Sequence, residues 1–284
     1  MPCIAGSYCG TSWAGNDGEP FSIRITEGEP WSGHVAAQIW HSVAVMSPDR
    51  GSDDFEDSLL ALFGAISSHD HVGAVRMLDQ APSLVTLALR VGASRQDPRP
   101  YFLDPIRHYV YAGDTALHVA AAANDRGLAE SLVGRGAAVR AHNRRGAEPL
   151  HYAADGGPGA DSNAQRELIS FLIDAGADPD AFDKSGVAPL HRAVRDRSSG
   201  AVSALVDKGA YPLLMNRRGS TPLHLAVQNT GKSHSGSDAA KEEQCRIIVI
   251  LLEHGASPSD LDAKGKAVAD AAMSDWIRQL LNNY

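Results

Sequence analysis

The segment DPIRHYVYAGDTALHVAAAA, residues 104–123, carries two histidines, two aspartates, an arginine and two tyrosines in twenty positions. A carboxylate and an imidazole within reach of each other can pass a proton or orient a ligand. Asp104 and His108 stand four apart, which on a helix is one turn along one face. With Arg107, Tyr109, Tyr111 and Asp114 they form a candidate pocket for a small molecule or substrate. Other clusters are weaker. The HDH string at 69–71 looks like a metal-ligand pair, but its position suits an exposed turn between two helices. Cys245 opens an apolar helical run with Arg246 as its cationic neighbour and no positioned histidine, which makes a poor nucleophile. The chain carries no phosphate-binding glycine loop and no serine-hydrolase elbow. The sequence therefore assigns no catalytic residue, no cofactor and no metal.

The second half of the opening segment is positioned by something that recurs. GDTALHVA is followed by GAEPLHYA, GVAPLHRA and GSTPLHLA, and the histidines His118, His151, His191 and His224 are spaced 33, 40 and 33 residues apart. Asp270 holds the equivalent place 46 residues further on. Each unit closes alike, with LVGRGA, LIDAGAD, LVDKGA and LLEHGAS. Apolar residues in QCRIIVILLEHGA recur at helical spacing, and the run ends at Gly255, which suits a left-handed helix cap. Gly136, Gly176 and Gly209 repeat that cap. In TPLH the proline suits a first helical turn and Thr221 can cap it. Each unit reads as helix, turn, helix and a glycine-bearing loop. Such a pair buries its apolar face only by stacking on its neighbours.

These strings resemble the ankyrin repeat, whose TPLHxA signature and period they match over roughly residues 55–281. The resemblance implies an all-α solenoid of about six helix-pair units with short finger hairpins and degenerate caps. The units lie near 55–92, 112–142, 143–182, 183–215, 216–261 and 262–284, with an insertion over 93–111. It also implies that the repeated histidines are structural, each hydrogen-bonding the hairpin and the helix start. Equivalent residues of stacked units sit about 8–10 Å apart, so they do not share one metal ion. Glu148 and Ala188 stand where the family has threonine, which weakens the expected caps there.

Residues 1–54 lack the repeat phase. They are rich in Gly, Ser and acidic residues, hold three of the four tryptophans, and are expected to be a disordered acidic extension. An ordered flap built from HVAAQIWHSVAVM is the alternative, as is initiation at Met46. The formal charge of −8 divides unevenly, with −5 in residues 1–54 and −2 in 55–92, so the repeat body is nearly neutral. Cys3, Cys9 and Cys245 form no disulfide framework. With no secretory signal and no long apolar run, a reducing cytoplasmic location is expected.

By the resemblance, a protein partner meets the finger residues around the loop glycine and the inner-helix residues four and five after the histidine. Here these include Arg144, Arg145, Lys184, Ser185, Arg217 and Arg218 on the fingers. Asp155, Arg195, Asp196, Gln228 and Asn229 fall on the inner helices. The face is mostly basic, and the two NRRG strings fall two repeats apart, so their arginines are expected to form a stripe facing an acidic protein surface. Nucleic acid is disfavoured because the body is not basic overall and lacks an aromatic platform along that stripe, and no membrane partner is expected. The favoured reading is a non-catalytic protein–protein interaction module. The alternative is an enzyme or small-molecule binder whose pocket lies between the 93–112 insertion and the first inner helices. Surplus residues DGGPGAD and NTGKSHSGSDAAK are expected to emerge along one edge, between the two helices of their units.

Overall fold

Each outer helix of the first five units begins on a side chain that can accept a backbone N–H, and the structure uses every one. In this computed structural model, which describes residues 50–155, 161–228 and 237–284, Asp70 accepts from Gly73, Asp125 from Leu128, Asp161 from Asn163, Ser198 from Ala201 and Ser237 from Ala240. These caps satisfy N–H groups that a helix start otherwise strands. The helices they open are α2 (His71–Gln80), α4 (Arg126–Gly134), α6 (Ser162–Asp174), α8 (Ser199–Asp207) and α10 (Asp238–Glu253). Their inner partners are α1 (Arg50–Ser67), α3 (Ala116–Ala122), α5 (Pro149–Ala154), α7 (Pro189–Arg195) and α9 (Pro222–Ala226). A last pair, α11 (Val268–Ala271) and α12 (Asp275–Leu281), ends the described chain.

Inner helices α3, α5, α7, α9 and α11 pack in that order, and outer helices α4, α6, α8 and α10 form a second layer against them. The apolar residue before each histidine, Leu117, Leu150, Leu190 and Leu223, is fully buried, as are Leu132, Leu172, Leu205 and Leu251 on the outer layer. At the far end Ile277 and Leu281 are buried, and Trp276 and Leu280 pack against the core.

Thr115 and Thr221 bond the histidine at the starts of α3 and α9, whereas α5 and α7 start without a threonine. His151 Nδ1 accepts the Glu148 N–H at 3.1 Å and His191 Nδ1 accepts the Ala188 N–H at 3.2 Å. Nδ1 is thus the acceptor and Nε2 carries the proton, which it donates to the next unit. His118 reaches the Ala147 carbonyl at 3.1 Å, His151 that of Val187 at 3.2 Å, His191 that of Leu214 at 3.0 Å and His224 that of Lys266 at 3.0 Å. The histidine caps its own helix and ties it to the following finger.

The fingers are built by Asn143, Asp183, Asn216 and Asp262, each accepting two backbone N–H groups across its own turn. Neighbouring fingers are stitched by backbone bonds, as in Lys184 N to Arg145 O at 2.8 Å and Arg217 N to Gly186 O at 2.9 Å. Close approach explains the glycine here, because a Cβ on Gly186 would lie 2.5 Å from Arg217 Cβ. Gly176 differs: its φ is +104° with open space around a Cβ. Substituting Gly176→Val therefore costs conformational strain alone, about 1–2 kcal/mol, and lowers the melting temperature by about 3–6 °C. An unchanged melting curve would show that this cap is not strained.

The insertion is where the sequence expectation needs correction. DPIRHYV is not helical. Strands β1 (Phe102–Leu103) and β2 (His108–Tyr109) form an antiparallel hairpin with Phe102 opposite Tyr109 and Leu103 opposite His108. Asp-Pro opens a turn well, since Asp suits the first position and proline presets the second. Aromatic flanks favour strands, and Arg107 closes the turn at φ 51°. Asp104 and His108 therefore share no helix face. The hairpin is anchored by Val110 N to Tyr101 O and Ala93 N to Val110 O, both at 2.8 Å. The extension up to residue 49, with Cys3, Cys9 and HVAAQIWHSVAVM, lies outside the described residues, as do 156–160 and 229–236 of the two surplus loops.

Candidate functional site

The hairpin roofs one end of a cleft on the side formed by the fingers and inner helices. The cleft has a volume of about 500 Å³. Ile106, Arg107 and His108 come from the hairpin, Arg145, Asp183, Ser185 and Val187 from two fingers, and Ala122, Tyr152, Asp155, Arg192, Arg195 and Asp196 from α3, α5, α7 and their ends. A second cleft of about 420 Å³ continues from it through Ser185, Val187 and Arg195 to Asn216, Arg217, Arg218 and Leu225. Together they make a groove with six arginines along it, Arg107, Arg145, Arg192, Arg195, Arg217 and Arg218.

A buried network forms the floor. Asp114, fully buried, accepts from Tyr152 Oη at 2.8 Å, Asn143 Nδ2 at 2.9 Å and the Tyr111 N–H at 2.6 Å. Burial and the nearby Asp114 carboxylate push the Tyr152 phenol well above its usual range. Asp114 is thus a structural anchor under the cleft and not one of its lining groups.

Arg192 stands in the cleft with both nitrogens committed. Nη1 meets Asp155 Oδ2 at 2.8 Å and Nη2 meets Asp183 Oδ2 at 2.9 Å. The two carboxylates respond differently. Burial raises Asp155 to about 6 in spite of Arg192. Asp183 feels burial too, but the Arg192 hydrogen bond and the finger N–H groups outweigh it and hold it below the usual carboxylate range. His108 is driven down to about 4 by burial first and then by Arg192, so its ring is neutral at pH 7. Its ring lies 4.6 Å from that of Tyr152, and its Nε2 has no hydrogen-bond partner in the described structure.

The remaining arginines divide into used and unused. Arg144 donates to the Ala93 carbonyl and sits 5.4 Å from the Tyr111 ring, so it staples the insertion and is not part of a free stripe. Arg145 stacks 4.3 Å over Tyr111. Neither Arg145 nor Arg107, Arg195 or Arg218 has a side-chain hydrogen bond or ion pair with a described residue. Lys184 Nζ donates to the Arg144 carbonyl at 2.9 Å. Tyr109 and Tyr111 face a separate depression with Arg95 and Arg144, and Asp104 is exposed at the hairpin tip. Gln228 lines a small crevice with Arg195.

The HDH turn is less free than its sequence suggests. His71 Nε2 lies 2.9 Å and His69 Nδ1 3.6 Å from Asp125 Oδ2, which joins the first unit to the second. These three ligand atoms lie within 4.8 Å of one another. Asp125 spends its other oxygen capping Leu128 at 3.0 Å.

Residues 159–262 match a family of ankyrin repeats in three copies, and residues 112–144 match the single ankyrin repeat. The chain is an ankyrin-repeat protein. No curated protein matches it at a significant level. The insertion and the first helix pair lie outside the matched stretches, so the roofed cleft of this ankyrin-repeat protein is partly built from residues that the repeat pattern does not supply. Sequence reasoning missed Tyr152 and Arg192, both placed one residue after the repeat histidine. Val119 and Leu225 hold that place in the other units. A polar residue at that one position was the readable signal. No helix among the described residues is long and apolar enough to cross a membrane.

Proposed function

We propose that the ankyrin-repeat protein is a non-catalytic binding module that holds an acidic segment of a partner protein along its groove. The observation that supports this reading is the continuity of the two clefts through Ser185, Val187 and Arg195, with Arg107, Arg145, Arg195, Arg217 and Arg218 along them. Ankyrin repeats generally mediate protein contacts, and guanidinium groups pair carboxylates in a bidentate way. Complementary charge steers encounter and excludes mismatched partners.

The test is fluorescence anisotropy with a labelled oligoglutamate peptide. Arg217→Gln together with Arg218→Gln weakens binding by about tenfold, the equivalent of roughly 1.4 kcal/mol, while the melting temperature stays within about 1 °C because surface changes cost little. Arg144 is left intact, since removing it would release the Ala93 carbonyl. Binding also weakens as salt rises, because exposed charges are screened beyond about 8 Å at physiological ionic strength. Equal affinity of wild type and double variant would defeat the reading.

A further inference from the structure

We infer that the roofed end of the groove is a separate site for a small organic phosphate, held as its monoester group by Arg107, Arg145 and Arg195. This goes beyond the acidic-segment reading and does not depend on it, because Arg217 and Arg218 line only the far cleft.

The charge pattern comes first. Four arginines and three aspartates line the cleft. Two of those aspartates are bound to Arg192, and the third, Asp196, adds one negative charge to the same lining. Arg107, Arg145 and Arg195 are left beside the same space without an anionic partner at hydrogen-bonding distance among the described residues. Like charges gathered at a low-dielectric wall repel one another, and a bound anion relieves that.

The number of donors selects the anion. A carboxylate offers two oxygens and is satisfied by one guanidinium fork, or by two. A phosphate monoester offers three terminal oxygens and up to two charges, which matches three guanidinium groups. The cleft is also far larger than phosphate alone, at about 500 Å³, which is within the range of metabolite-sized sites. Ile106, Ala122 and Val187 give the organic part an apolar wall, and Ser185 adds a hydroxyl at the mouth. His108 lines the same wall as a neutral ring whose Nε2 is buried without a hydrogen-bond partner, so it adds no charge to the site.

The site is preformed on three sides. Arg192 is fixed by its two carboxylates, Tyr152 by Asp114, and Arg145 by stacking on Tyr111. Arg107 is presented from a hairpin turn whose backbone is held by Arg107 N to Asp104 O at 3.2 Å. Preorganised guanidinium groups lose little side-chain entropy on binding.

Isothermal titration of the full chain decides it, with inorganic phosphate, free O-phosphoserine and a short phosphoserine-centred peptide as probes. Inorganic phosphate and free phosphoserine are expected to bind, phosphoserine more tightly, and Arg107→Gln with Arg145→Gln weakens both by about tenfold or more. A charge-matched control, Arg126→Gln with Arg246→Gln on the outer helices, keeps wild-type affinity. Should the pocket double variant fold poorly, Ser185→Glu on an exposed finger places a carboxylate at the mouth and gives the same loss. Absence of heat with wild type, or equal affinity of pocket and control variants, overturns the proposal. Tighter binding of the peptide than of free phosphoserine also overturns it, by assigning the site to a modified protein. Phosphate binding that survives Arg217→Gln with Arg218→Gln, while oligoglutamate binding falls, is the mark of a separate site. The groove reading fails separately when the peptide affinity ignores Arg217 and Arg218.

Discussion

Replacing Asp114 by alanine is expected to lower the unfolding free energy by about 2–5 kcal/mol, because it takes the acceptor from three donors, of which Asn143 Nδ2 keeps only Tyr152 Oη at 2.9 Å, and each stranded donor costs about 1–3 kcal/mol. The donors are Asn143 Nδ2, Tyr152 Oη and the Tyr111 N–H. Two of them belong to the third unit and one to the end of the insertion, while Asp114 itself opens the second unit, so the loss is felt at every junction around the cleft. At about 2–4 °C per kcal/mol the melting temperature falls by roughly 10 °C. Tyr152→Phe removes one donor together with its need and costs only about 1 kcal/mol. Urea unfolding of the two variants beside wild type checks the order. An Asp114→Ala protein within about 1 kcal/mol of wild type would show that the network is not formed.

The second large effect is acid lability. The rings of His108, His118, His151 and His191 all titrate below their ordinary range, burial being the main cause, and His108 and His151 are held at about 4. An unfolded histidine titrates near 6.5, so between pH 6.5 and 4 the unfolded chain binds more protons than the folded one. The stability these neutral rings contribute is present above pH 6.5 and is lost as pH falls through that window, on the order of 2–3 kcal/mol for each of the two held at about 4. Asp155 works the other way. Raised to about 6, it binds its proton more readily when folded, so its contribution is present at low pH and is lost as pH rises through 6. One carboxylate opposes four imidazoles, and the imidazoles win. Protonation at Nδ1 also turns the acceptor of the Glu148 and Ala188 N–H groups into a donor that faces them. Melting temperatures measured from pH 7 down to about 4.5 are expected to fall steeply. A flat profile would sink the argument.

The periodic part of this structure was legible because its causes recur. A histidine that caps and stitches, a glycine at φ near +100° and an Asp or Ser at each outer helix start appear in unit after unit, and repetition separates them from accident. The cleft was half legible. Arg145, Arg195 and Asp155 were read from their place in the repeat, and Arg107 and His108 from their chemistry, but nothing in the string says that the two groups meet. Their meeting depends on a hairpin that occurs once, and DPIRHYV satisfies a helical spacing as well as a turn until Asp-Pro is given its weight. Arg144 looked identical to Arg217 in the two NRRG strings, yet the insertion supplies Arg144 alone with the Ala93 carbonyl. Tyr152 and Arg192 were passed over because a repeat template treats their position as packing. Two of its four occupants are indeed apolar.

Cross-links between units are not evenly distributed along the array. Asp114 joins Asn143 and Tyr152, Arg192 joins Asp155 to Asp183, and Arg144 grips the chain at Ala93. Beyond Gly219 the last junction relies on Ala263 N to Gly219 O and His224 to Lys266 O, leading to helices of four and seven residues. In a solenoid where each unit leans only on its neighbours, this makes the middle a single cooperative block and the carboxyl end a fraying zipper. Amide protons of α11 and α12 then exchange through local openings, whereas those of α3, α5 and α7 exchange only when the whole array lets go.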